Sequence, residues 1–322
     1  MLLTKLRQAL HSLGSPNAFV AQGRLGRTGW PRALASLALG PLLVGALVGV
    51  RHVVDLVRHA PVAPADAAAV AARVAHDPSI IFVGVLIVFG ALLAGLVVGT
   101  RFIQRRPISS LVHVVGRPFR WRRWLLGLGL TLGFNALSAL LVHALAPAAL
   151  VWSFAPHAFV SMLPWAVASL TVQTLAEEVL FRGWLPQTLA GPRQRVGLAV
   201  TLSGLIFFAM HLGNPEMSLP GALPAALVAY LTLSALLGIV ALREEGLELA
   251  WGVHLANNLA CVLLVGMPGG TLPSVALFQE ARVLPWVDTA QLLLLAALVL
   301  LSLRRRPDSL VAGPREVIHS VR

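Results

Sequence analysis

The sequence predicts an all-α polytopic membrane protein of about eight spanning helices with both termini cytoplasmic. Three observations predict it: the composition, the lengths of the charge-free stretches and the sidedness of the basic residues. Of 322 residues, 57% are hydrophobic and only 12% charged, with a mean hydropathy of +0.81. Soluble globular chains carry about 25% charged residues, so a soluble enzyme, a disordered chain and a fibrous protein are all excluded.

Charge-free stretches cover 33–50, 78–100, 124–176, 196–215, 217–242, 249–279 and 289–303. A spanning helix needs about 20 apolar residues. The 124–176 stretch is far too long for one crossing, and Pro147 and Pro156 divide it into two helices joined outside the membrane, which brings the count to eight. The first stretch starts too late for a cleaved signal peptide and is read as a helix.

With the N-terminus inside, twenty basic residues fall on the cytoplasmic side, seven of them arginines between Arg101 and Arg123. Four fall outside: Arg51, Arg58, Arg73 and Arg282. That asymmetry follows the positive-inside rule. It also accounts for the net charge of +12 without nucleic acid, which is not expected as a partner. Phe119, Trp121 and Trp124 beside the arginines suit an anionic lipid leaflet. The lone cysteine, Cys261, has apolar neighbours and reads as a packed small side chain. Gly95 with Gly99, and Gly129 with Gly133, have the spacing of close helix contacts.

The chain divides into a cytoplasmic arm (1–32), three N-terminal helices with their connections (33–159), a polar-bearing helical core (160–265), an external loop with the last helix (266–303) and a basic cytoplasmic tail (304–322). An Ala-rich part of the external 51–77 loop could form a short surface helix.

Ionisable side chains at membrane depth are costly and mark function by default. Glu177 and Glu178 are such groups, and Arg182 follows Glu178 by four residues, the favourable order for a helical ion pair. Glu177 points about 100° away around the helix, so one carboxylate is left wanting a partner. His211, four residues after Phe207, and His254 with Asn258 on one face of the seventh helix supply candidates. A carboxylate paired with histidine can draw a proton from water. Depth tests their convergence. If the fourth helix ended at Arg182, Glu177 would lie about 8 Å inside and His211 roughly 24 Å. If it runs on through Trp184 to Leu189, Glu177 and Asn258 both lie about 18 Å deep and His254 about 12 Å, although Pro186 opposes that extension. Two other readings remain open: a proton-coupled transporter, since buried Glu and His also build proton relays, and a scaffold in which the polar residues hold helices together.

Glu177-Glu178-x-x-x-Arg182-Gly183, Phe207-x-x-x-His211 and His254-x-x-x-Asn258, in that order on three helices, resemble the CPBP family of CAAX prenyl proteases and bacteriocin-processing enzymes over roughly 160–265. The resemblance implies an intramembrane endopeptidase acting on a peptide or membrane-protein substrate and embedded in lipid; the arginine-rich, almost lysine-free composition points to a bacterium, and so to its plasma membrane. By similarity, Glu177 with His211 activates water and His254 with Asn258 stabilises the oxyanion. Glu178, Arg182 and Phe207 support the geometry. The family is often labelled metalloprotease, and Glu177, His211 and His254 have the composition of a zinc set. The helical His-Glu-x-x-His of metal peptidases is absent, however, and a zinc-bound glutamate is less available as a base. The expectation is therefore metal-free glutamate chemistry with no cofactor, and a Zn²⁺-dependent version as the alternative.

Overall fold

The computed structural model describes residues 17–57, 79–267 and 269–303. Eight long helices dominate it: α1 (Trp30–Val57), α2 (Ser79–Val98), α3 (Trp121–Leu145), α4 (Pro156–Leu189), α5 (Val196–Met210), α6 (Leu223–Glu244), α7 (Glu248–Leu259) and α8 (Pro285–Ser302). Six are long and apolar enough to cross a membrane, whereas α5 and α7 are shorter. The chain is an integral membrane protein. Large apolar side chains such as Leu42, Leu140 and Leu294 are more than half exposed on the outer faces, where lipid takes the place of water. The basic tail and the 58–77 part of the long loop, including any surface helix there, lie outside the described residues.

The expected break in 124–176 falls at 146–155, where α3 ends and Pro156 opens α4. α4 does not stop at Arg182. It continues through a widened, π-type turn at Val179–Trp184 into Leu185–Leu189. Pro186 cannot donate a backbone hydrogen bond, and widened turns of this kind recur at functional sites. A second wide turn, Ala260–Leu264, ends α7.

The 249–279 stretch is helical only in its first part. The rest joins a small three-stranded sheet, an element the all-α expectation did not contain: β1 (Leu150–Trp152) runs antiparallel to β3 (Phe278–Glu280), and β2 (Val265–Gly266) runs parallel to it.

Small residues set the helix contacts. A methyl group on Gly95 would meet Gly40 Cα at 2.6 Å, and one on Gly99 would meet Ser36 Cα at 2.7 Å, so this pair does seat α2 closely on α1. Gly129 and Gly133 have open space around them. The α3–α7 contact is made instead by Gly127 against Leu249 and Val253, and by Gly252 against Trp124 and Leu128. It brings α7, and with it His254, against the bundle.

Three arginines of the 101–123 loop also make contacts within the protein that the sequence did not suggest. Arg123 chelates Glu244, Arg120 binds Glu248 through Nη2 (2.6 Å) and Nε (3.0 Å), and Arg117 pairs with Glu245 at 3.1 Å. Glu248 is fully buried, so these contacts clamp the start of α3 to the α6–α7 corner. Trp124 packs at a tilt against Trp251 of α7, with ring centroids 5.4 Å apart. Residues 17–23 of the expected N-terminal arm are packed as well: Asn17 caps a single helical turn, Ala18–Ala21, and Gln187 donates to both Phe19 O and Ser110 O.

Candidate active site

α4 carries the two acids into the bundle. Twelve residues of helix separate Glu177 from Leu189, which places its carboxylate about 18 Å from that end. This is the geometry that convergence needs. Glu178 is fully buried and accepts from Arg182 Nη1 at 3.1 Å. Its Oε1 also lies 2.8 Å from His254 Nδ1. A carboxylate only accepts, so the hydrogen on His254 is assigned to Nδ1 and Nε2 is left facing Glu177 Oε2 at 3.5 Å. One imidazole thus stands between two neighbouring acids, a bridge that the sequence reading did not assign, since it gave Glu178 to Arg182 alone.

Glu177 differs from its neighbour as expected. It is 9% exposed and makes no pair with Arg182 within ion-pair distance among the described residues. Its other oxygen is 3.4 Å from the amide of Gln173, one turn back.

Phe207 is the platform on which the cluster rests. It is fully buried, and the Arg182 guanidinium lies over its ring at 3.9 Å from the centroid, a cation–π contact. The ring centroids of His211 and His254 lie 4.4 and 5.9 Å from it. His211 caps the C-terminus of α5, where its Nδ1 donates to Phe207 O at 2.7 Å. That bond leaves His211 Nε2 with a free lone pair in the neutral ring.

Glu177, His211, His254 and Asn258 all line one cavity of about 690 Å³. Two of the expected pairings differ. Glu177 approaches His254, not His211, and His211 has no ion pair with either acid among the described residues. Among the described residues no three His, Cys, Asp or Glu side chains form a metal-binding set. As they stand, Glu177, His211 and His254 therefore do not fit zinc.

Tyr230 at this site escaped the sequence reading. Tyr230 lines the cavity 4.9 Å from the His211 ring, and its hydroxyl accepts from Asn214 at 2.7 Å. A lone tyrosine in a 322-residue apolar chain was the available signal.

Residues 158–260 match the family model described as type II CAAX prenyl endopeptidase Rce1-like. The chain is also similar to the uncharacterized protein YyaK of Bacillus subtilis (strain 168), with 26% identity over 180 residues. That match covers 54% of this chain and 57% of the relative, so the chain spans a little over half the length of the curated protein it matches. No solved structure matches the chain. The family match contains every site residue named above, from Gln173 to Asn258.

Proposed function

We propose that this chain is an intramembrane endopeptidase that hydrolyses a peptide bond with a water activated by Glu177. The observation that carries the proposal is the position of Glu177. It is the acid that Arg182 leaves unpaired, it stands 3.5 Å from His254 Nε2, and it opens on the cavity that also receives His211 and Asn258. The match of residues 158–260 to a CAAX endopeptidase family supports the reaction class.

The local charges organise the chemistry. Two buried carboxylates and one guanidinium leave the cluster one positive charge short of neutrality, and a proton on His254 closes the balance. Glu177 is then a carboxylate, and His254 presents Nε2–H to the cavity while Nδ1–H holds Glu178. A water between Glu177 and the scissile carbonyl bonds to the carbon as its proton passes to Glu177. His211 Nε2 accepts the second hydrogen of that water. The oxyanion takes hydrogen bonds from His254 Nε2–H and the Asn258 amide. When the C–N bond breaks, Glu177 returns the proton to the leaving amine, and the products are one carboxylic acid and one amine. Metal-free chemistry is the reading favoured, because a glutamate bound to a metal is less available as a base. Bacillus ancestry of the relative and an arginine-rich, lysine-poor composition support a bacterial plasma membrane.

The experiment is turnover of a fluorogenic peptide library by purified protein, with and without a chelator. Glu177→Gln should abolish cleavage while the protein stays folded. Asn258→Ala should lower kcat by about 10²–10³-fold, and the chelator should change nothing. Wild-type turnover by folded Glu177→Gln would refute the mechanism, and loss of activity on chelation would transfer the reaction to a metal.

A further inference from the structure

We infer that Tyr230 is a further substrate-contacting residue, whose hydroxyl donates a hydrogen bond to a backbone carbonyl of the bound peptide next to the scissile one. The inference rests on the proteolytic reading for the identity of that acceptor. That the phenol is held with a hydrogen to give follows from its own surroundings.

α6 meets the cavity with Ala226, Ala229, Tyr230 and Leu233, the spacing of a single helical face. Tyr230 is the one side chain on that face with a polar atom, and its neighbours Ala226 and Ala229 are small. Of the other two hydroxyl-bearing residues of α6, Thr232 and Ser234, neither lines the cavity, and Ser234 is engaged with Gly204 O of α5 at 2.7 Å. A phenylalanine would fill the same space at Tyr230 without a hydroxyl to desolvate, so the hydroxyl is costly there unless it is hydrogen-bonded.

The phenol is fixed at both ends. Its ring lies 4.9 Å from the His211 ring at an interplanar angle of 37°. Its oxygen accepts from Asn214 Nδ2 at 2.7 Å. Asn214 is itself held by the turn that follows α5, where its N–H donates to His211 O at 3.1 Å and its carbonyl accepts from Met217 N at 3.0 Å. One turn thus presents His211 and positions Tyr230. A tyrosine hydroxyl both accepts and donates, and among the described residues only the accepting half is used. Because the group is ordered before anything binds, a ligand that accepts its hydrogen immobilises no further side chain.

A peptide carries a carbonyl at every residue, and hydrolysis engages one of them. Much of the cavity wall is apolar, including Val85, Phe89, Leu92 and Leu96, and offers the neighbouring carbonyls no donor. On the proposed mechanism His211 holds the attacking water. The phenol ring is 4.9 Å from that imidazole, little more than the ~3.5 Å by which one extended residue advances. The acceptor is therefore assigned to a residue adjoining the scissile bond. That carbonyl does not change during the reaction, so the contact contributes to binding and not to the chemical step.

The probes are the best-cleaved peptide of the fluorogenic library and analogues of it in which one backbone carbonyl at a time is replaced by methylene. Tyr230→Phe keeps the ring on His211 and should raise KM about 2–10-fold with kcat unchanged. One methylene analogue should lose a similar factor on the wild type and nothing further on Tyr230→Phe, the coupling that a direct contact produces. If loss of the acceptor for Asn214 destabilises Tyr230→Phe, adding Asn214→Ala removes the unpaired amide and the same cycle is run on the double variant. Wild-type kinetics from folded Tyr230→Phe, or losses that add in full for every analogue, would overturn the inference. A fall in kcat at constant KM would also overturn it, since Tyr230 would then act by supporting His211. Tyr230 is the chain's one tyrosine, so 3-fluorotyrosine incorporation places a single ¹⁹F reporter beside the hydroxyl and reads binding without turnover. The pooled library should shift that signal saturably and bind Tyr230→Phe more weakly than the wild type. If it does so while no peptide is cut, the contact stands and the proteolytic reading falls; no shift with any peptide sinks the contact.

Discussion

Replacing Gly127 with alanine tests how the site is positioned without touching any of its polar groups. A methyl group at Gly127 would lie 2.6 Å from Leu249 O and 3.0 Å from Val253 N, where ordinary contact begins near 3.4 Å. The atoms it meets are backbone and cannot rotate away, so α7 must retreat from α3 by about 0.8 Å. Overpacking of this kind costs about 1–3 kcal/mol. The retreat falls directly before His254, whose 2.8 Å bond to Glu178 sets the direction of Nε2. A misplacement approaching 1 Å in a catalytic group costs about 10²-fold in rate. The assay is thermal unfolding in detergent beside peptide turnover, with Gly129→Ala as the comparison, because nothing lies within 4 Å of its added methyl. Gly127→Ala should lower Tm and turnover together, and Gly129→Ala should hold or raise Tm, since alanine is favoured over glycine in a helix by up to about 1 kcal/mol. Wild-type behaviour from Gly127→Ala, or an equal loss from Gly129→Ala, would refute the argument that the α3–α7 approach aims the imidazole.

Two further perturbations address the charges. Arg182→Met leaves two buried acids facing one imidazole and should cost about 3–5 kcal/mol of stability; adding Glu178→Gln should restore most of that stability but not turnover, and a double variant as unstable as the single one would show that the ion pair is not the cause. At the cavity rim, burial and, secondarily, Asp288 push the carboxyl of Glu280 up to about 8 from an ordinary 4.5. Because the folded value is the higher one, the folded state holds the proton more tightly. The stabilisation is fully present below about pH 4.5 and is lost as pH rises through about 8. Tm in detergent should therefore fall across that window for the wild type and fall less for Glu280→Gln; parallel curves for the two proteins would discard the assignment.

The helices were legible in the sequence because lipid imposes a rule that residues cannot evade: every backbone group must be bonded within the segment, so charge-free length maps directly onto spans. The same rule explains what was not legible. A widened turn at Val179–Trp184 keeps the ladder bonded across Pro186 and leaves no compositional mark beyond the proline itself, so the sequence could pose the question of where α4 ends but not answer it. The arginines of 101–123 were countable, but their partners Glu244, Glu245 and Glu248 lie more than a hundred residues away. The small-residue pattern failed for a related reason. Gly129 and Gly133 have the favoured spacing but face nothing, whereas Gly127 and Gly252 meet across two helices and share no local motif.

The adjacent acids show most clearly where sequence reasoning stops. About 100° of helix rotation separates them, and that rotation alone assigns Glu177 to the cavity wall and Glu178 to the interior, as the spacing of Arg182 indicated. What spacing could not convey is that the interior acid also binds His254. The consequence is that neither glutamate substitutes for the other. On the proposed mechanism Glu178 holds the hydrogen of His254 on Nδ1 and its Nε2 toward the cavity, and Glu177, outside ion-pair distance of Arg182, is the acid that exchanges a proton. A single acid held by both Arg182 and His254 would fix the imidazole but leave nothing to receive a proton from water, so the proposed hydrolysis uses both.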